Sequence, residues 1–169
     1  MKVDVSVRDV MSTNVLKALP EDKVIDVVLK MREKNIGSAI VVSGGKVTGM
    51  VTERDLAFKM LPERRDPAQV SVREIMTSPV ITISAETDLV GAAELMRRHK
   101  FRRLPVVDDR GTLVGIITQT DVADVGPELI SLFKRLLTAK ESGSDQISQY
   151  YQEKKAKEAL EGIKRGKKI

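Results

Sequence analysis

The chain of 169 residues contains no cysteine, no tryptophan, one histidine, and only three phenylalanines and two tyrosines. Without cysteine there can be no disulfide, no thiolate chemistry and no Cys-based zinc site. A single histidine removes His-cluster metal sites and most His-centred catalysis. No apolar run approaches the roughly twenty residues needed to cross a bilayer. The start, Met1-Lys-Val-Asp-Val-Ser, lacks the apolar segment of a signal peptide. The expectation is a soluble, cytoplasmic protein with no membrane partner. With aromatics at 3%, the core must be built from Val, Ile, Leu, Ala and Met. That composition suits an α/β protein with buried, Val/Ile-rich strands.

A net excess of positive charge is also nearly absent from most of the chain. Residues 1–126 hold 19 basic and 18 acidic side chains, whereas 127–169 hold 10 and 6. The net charge of +5 is therefore mainly a property of the tail, and it does not argue for nucleic-acid binding by the body.

What is present is an internal repeat. Val5-Ser-Val-Arg-Asp-Val-Met11 returns as Val70-Ser-Val-Arg-Glu-Ile-Met76, 65 residues on. Val24, Ile25, Val28 and Met31 match Leu89, Val90, Ala93 and Met96, and their spacing predicts one apolar helical face. Asp22 and Thr87 are the matching N-cap candidates. The methionines at 11, 31, 76 and 96 are expected to pack in the core. Ser38-Ala-Ile-Val-Val42 and Arg103-Leu-Pro-Val-Val107 predict buried strands, followed by hairpin turns at Ser43-Gly-Gly-Lys46 and Asp108-Asp-Arg-Gly-Thr112. Both repeats then close with one pattern, Gly49-Met-Val-Thr-Glu-Arg-Asp55 and Gly115-Ile-Ile-Thr-Gln-Thr-Asp121. Thr-x-x-Asp before an apolar run reads as a capping box at a strand-to-helix corner. Such a corner offers unpaired N–H groups to a phosphate, and the aspartate offers an acceptor to a diol. The plainer reading is that Thr-x-x-Asp only caps a helix. Its recurrence in matching contexts favours the ligand reading.

Each repeat reads as β-α-β-β-α, which predicts an α/β (α+β) chain with two repeats packed in pseudo-two-fold symmetry. The expected boundaries are 1–62 for repeat one, 63–69 for the linker, 70–126 for repeat two and 127–169 for a helical, basic extension. In these features the chain resembles a tandem pair of cystathionine-β-synthase (CBS) domains. The resemblance rests on the paired Val-Arg-acid-x-Met segments, Leu104-Pro-Val-Val-Asp108 and the two Gly-x-x-Thr-x-x-Asp corners, and it covers about residues 5–125. It implies a regulatory module, such as an energy sensor, and a homodimer. It also implies that an adenosine-containing ligand (AMP, ADP, ATP or S-adenosylmethionine) binds in the cleft between the repeats, with no obligatory cofactor.

By that resemblance Asp55 and Asp121 would accept hydrogen bonds from ribose hydroxyls. Thr52 and Thr118 would donate to phosphate or ribose oxygens. Val15, Val80, Ile40 and Pro105 would form apolar walls around the base. The repeats differ just before their central strands, where Arg102 and Arg103 stand in repeat two and Ser38 is the counterpart of Arg103. A guanidinium suits a phosphate. The Asp121 site is therefore expected to take a phosphorylated adenosine, and the Asp55 site a less charged adenosyl compound or the same ligand more weakly. Arg97, Arg98 and Lys100 read as a solvated helix end, and His99 as a surface residue on the helix dipole.

No Walker-type loop, activated nucleophile or metal-ligand cluster is present in the sequence, so neither catalytic residues nor a metal are expected. Backbone partners in a capping box would lower the aspartate pKa values and argue against general bases. The tail opens with Pro127 and an apolar stripe of Leu129, Ile130, Phe133, Leu136 and Leu137. Beyond Ser142-Gly-Ser-Asp145 it reads either as a marginal amphipathic helix or as a frayed segment. A basic tail contacting nucleic acid, with the repeats as regulator or dimerisation scaffold, is the alternative reading.

Overall fold

The structure is a computed structural model, and it describes residues 5–126. Repeat one contains α1 (Val7–Val10), β1 (Lys17–Ala18), α2 (Val24–Glu33), β2 (Ser38–Ser43), β3 (Lys46–Thr52) and α3 (Glu53–Lys59). Repeat two contains α4 (Val72–Ile75), β4 (Ile83–Ser84), α5 (Leu89–His99), β5 (Arg103–Val107), β6 (Leu113–Thr118) and α6 (Gln119–Ala123). The expected β-α-β-β-α order is present twice, each time preceded by one helical turn, α1 or α4. Residues 63–69 contain neither helix nor strand.

Two three-stranded sheets form, ordered β1-β2-β3 and β4-β5-β6. In each, the short first strand runs parallel to the second, with Lys17 opposite Ile40 and Ile83 opposite Val106. The hairpin between β2 and β3 is antiparallel. Gly44 and Gly45 turn it with φ of 57° and 79°, values that the primed hairpin turns require and that glycine adopts without strain.

Two compact units can be separated, and they do not follow the repeats. One comprises residues 12–84 and 104–116 and carries β1–β4, α2–α4 and most of β5 and β6. Its core joins Val24, Val27 and Met31 of α2 to Ala39, Val41 and Val51 of the sheet and to Val72 and Ile75 of α4. Burying each large aliphatic side chain contributes about 1.5–3 kcal/mol. The other unit comprises 1–11, 85–103 and 117–169, of which 5–11, 85–103 and 117–126 are described. In it α5 packs on α6, and Val7, Val10, Leu89, Ala92, Met96, Ile117 and Val125 are buried.

Part of the reason is an exchange of opening segments, which the repeat pattern does not predict. The segment that opens repeat two hydrogen-bonds to repeat one: Val72 N–H donates to Asp22 O at 2.9 Å and Val24 N–H to Val70 O at 3.0 Å. Thr77 and Met50 exchange two backbone bonds of 2.8 and 3.1 Å along β3. Reciprocally, Val7 N–H donates to Thr87 O and Leu89 N–H to Val5 O, while Ser12 exchanges two 2.9 Å bonds with Ile116 of β6.

Two local expectations are corrected. The N-caps of α2 and α5 are Lys23 and Asp88, each one residue beyond Asp22 and Thr87. Asp88 accepts from Gly91 N–H at 2.7 Å, whereas the Asp22 carboxylate is turned back to Leu19 N–H at 2.8 Å. The helix faces are also rotated. Val24, Val27 and Met31, and likewise Leu89, Ala92 and Met96, are buried, while Val90 is 71% exposed. Met11, Met31 and Met96 are buried, and Met76 packs half-buried against the core. The expected helix and basic segment of the tail lie outside the described residues.

Candidate ligand site

Both Thr-x-x-Asp corners form as capping boxes. Thr52 is the N-cap of α3: its hydroxyl accepts from Asp55 N–H at 3.3 Å, and its own N–H donates to Asp55 Oδ2 at 2.8 Å. Thr118 and Asp121 repeat the arrangement at 3.3 and 2.7 Å. Each threonine hydroxyl also lies within hydrogen-bond distance of the same aspartate oxygen, at 2.7 Å in repeat one and 2.9 Å in repeat two. The helices that follow are short, seven and five residues. One orphan N–H of each first turn is already satisfied by the threonine, so the carboxylates are the more distinctive chemical feature.

The remaining oxygen separates the corners. Asp55 Oδ1 is 2.7 Å from Lys59 Nζ, one turn along α3, and accepts from Thr77 Oγ1 at 3.3 Å. Asp55 is only 8% exposed. Burial alone would raise its carboxyl pKa; the bonds from Lys59 and Thr52 outweigh that and hold it below the ordinary value. Asp121 is half-buried, and among the described residues its only hydrogen-bond partner is Thr118, on Oδ2. Its position of Lys59 is taken by Val125, an apolar residue that is buried.

The surrounding charge differs in the same direction. Gln119 N–H donates to Arg102 O at 2.9 Å, and its side-chain amide donates to Phe101 O at 3.1 Å. Arg102 is exposed and Arg103 half-buried, so two guanidinium groups enter the segment tied to the Asp121 corner. In repeat one the equivalent bond runs from Glu53 N–H to Gly37 O at 3.3 Å. A Cβ on Gly37 would lie 2.8 Å from Glu53 Oε2, so the glutamate occupies space that only glycine leaves open there. Repeat one thus has Gly37, Ser38 and Glu53 where repeat two has Arg102, Arg103 and Gln119.

Of the remaining candidates, Ser38 stands opposite Thr52 across the β2–β3 ladder and is buried. Ile40 and Pro105 are both fully buried, and Val15 and Val80 half-buried. Arg97, Arg98, His99 and Lys100 are exposed, with His99 stacked on Phe101 at 5.4 Å. Sequence reasoning passed over Lys59, Glu53, Thr77 and Gln119. The pairs Glu53/Gln119 and Lys59/Val125 were visible in the repeat alignment; the approach of Thr77 was not.

Comparison with known proteins settles the family. The CBS domain model matches residues 7–61 and 72–128. The chain belongs to the CBS domain family. An uncharacterised protein of Methanopyrus kandleri is 38% identical over 128 residues, covering 75% of this chain and 65% of that one. This CBS chain thus spans just under two thirds of that relative. The CBS domain pair of protein MJ0100, in complex with 5′-methylthioadenosine and S-adenosyl-L-methionine, is similar at 28% identity and TM-score 0.65, over 72% of this chain and 95% of that one. CBSX2 of Arabidopsis thaliana, in complex with AMP, is similar at 28% identity and TM-score 0.62, over 73% and 97%. Among the described residues no helix is long and apolar enough to cross a membrane, and no group of three or more His, Asp or Glu could hold a metal.

Proposed function

We propose that this CBS pair is a regulatory sensor of an adenosine-containing ligand, AMP, ADP, ATP or S-adenosylmethionine, and that it is not an enzyme. The observation carrying the proposal is the Asp121 corner, where a half-buried carboxylate keeps an acceptor oxygen beside Thr118. A ribose diol donates two hydroxyls, and each hydrogen bond to a charged acceptor contributes about 1.5–3 kcal/mol. Arg102 and Arg103 add the charge that a phosphate requires, so the phosphorylated adenosines are the favoured class. The adenosyl ligands of MJ0100 and CBSX2 support the same chemistry. Val15 and Val80 are proposed as apolar contacts of the base, with Ile40 and Pro105 as the buried residues of the same apolar wall. By the same family resemblance we propose a cytoplasmic homodimer, with repeats at 1–62 and 70–126 as the functional halves. The reading of the tail as a nucleic-acid contact falls on residues outside those described.

Thermal-shift and calorimetric titrations against AMP, ADP, ATP, GTP and S-adenosylmethionine test the proposal. A ligand at a hundredfold its Kd stabilises by about 2.7 kcal/mol. Stabilisation by an adenosyl compound, lost in Asp121→Ala, is the expected result; no shift with any of them would remove the sensor reading.

A further inference from the structure

The two corners carry the same Thr-x-x-Asp pattern but not the same vacancy. At Asp121 both bonds from Thr118 fall on Oδ2, and among the described residues nothing donates to Oδ1. At Asp55 the equivalent oxygen is already bound by two donors, Lys59 Nζ and Thr77 Oγ1. Lys59 is not a loose surface cation. Its ammonium also donates to Ile75 O at 2.7 Å, the last carbonyl of α4, where a helix leaves its C=O groups unsatisfied and favours positive charge. One lysine therefore bridges the Asp55 carboxylate and the end of α4. An ammonium held by two acceptors in a partly buried position costs more to displace than an exposed ion pair. Repeat two cannot copy this device, because Val125 has no donor.

We propose that Lys59 is a built-in cover of the repeat-one site: it takes on Asp55 the place that a ligand hydroxyl takes on Asp121, so each chain binds a single adenosyl ligand. The proposal rests on the sensor reading above and deepens it by fixing stoichiometry and naming the residue that sets it. Glu53 acts in the same sense, since its carboxylate beside Gly37 repels a phosphate at this corner. The repeat-one capping box then serves the fold, joining β3, α3 and the opening segment of repeat two, while the repeat-two capping box serves the ligand.

Lys59→Met keeps the length and apolar stem of the side chain and removes the donor. The full chain and this variant are titrated calorimetrically with S-adenosylmethionine and, separately, with AMP, and the fold of each is checked by its thermal transition. Lys59→Ala provides a second variant should the methionine fail to fold. The expected result is one ligand per wild-type chain, lost in Asp121→Ala, and two per chain of Lys59→Met for S-adenosylmethionine, the second lost in Lys59→Met/Asp55→Ala. Two ligands per wild-type chain, or an unchanged count in both folded Lys59 variants, would overturn the cover. A wild type that binds neither probe removes AMP and S-adenosylmethionine as ligands of the Asp121 corner. In that case binding that appears in Lys59→Met and is lost with Asp55 still supports the cover, and its failure to appear overturns it.

Discussion

A Cβ placed on Gly49 would lie 2.7 Å from Met76 Sδ, and 3.0 Å from the carbonyl oxygen of Thr77. Gly49 is therefore the glycine over which the opening segment of repeat two crosses β3. The methionine tip can move, but the carbonyl belongs to the backbone that exchanges hydrogen bonds with Met50. Gly49→Ala is expected to destabilise the chain by about 1–3 kcal/mol, the usual cost of overpacking. At roughly 2–4 °C per kcal/mol for a chain of this size, the thermal midpoint should fall measurably. Gly44→Ala tests a different cause, since nothing lies within 4 Å of its Cβ position and only its positive φ is at stake.

Arg102→Ala and Arg103→Ala are expected to weaken AMP binding by at least about tenfold, since a charge-assisted bond to phosphate is worth about 1.5–3 kcal/mol. Adenosine, which lacks the phosphate, should bind the variants and the wild type alike. Calorimetric titration with both ligands separates loss of the phosphate contact from general damage to the site. Equal losses for both ligands would show that the arginines act on the fold instead.

The Asp55 carboxyl is held below its ordinary pKa in the folded chain. A depressed folded value means the ionised form stabilises the fold above the unfolded value near 3.8, and that this contribution disappears as pH falls through the lower folded value. Asp55→Asn should therefore be less stable than wild type at neutral pH. The gap should narrow only in strong acid, below about pH 4, when denaturant midpoints are compared across pH. A gap that stays constant from pH 7 down to pH 2 would contradict the ion-pair origin.

Asp88→Ala removes the side chain that caps α5 through Gly91 N–H. The expected cost is about 1 kcal/mol, the usual worth of an N-cap. The corresponding residue in repeat one, Lys23, makes no side-chain cap, and its ammonium donates instead to Gln69 O at 2.8 Å. Lys23→Ala should cost α2 no capping energy, so the two substitutions compared by thermal unfolding read the asymmetry directly.

The sequence by itself determined the repeat, the β-α-β-β-α order, the glycine turn at Gly44 and Gly45 and both capping boxes. All of these are local: side-chain periodicity, positive φ and a threonine three residues before an aspartate are written within a few positions of one another. Even the contrast of Arg102 and Arg103 with Gly37 and Ser38 is legible once the repeats are aligned. Only the tertiary structure decided the exchange of opening segments, because backbone N–H and C=O groups are the same at every residue and carry no mark of their distant partners. It also decided the fate of Asp55. Lys59 is one helical turn away in the sequence, but what fixes its ammonium on that carboxylate is the carbonyl of Ile75, brought there from the other repeat. The chain writes one corner twice with Lys59 in one copy and Val125 in the other, and the packing of α4 against α3 turns that difference into a bond on the Asp55 carboxylate.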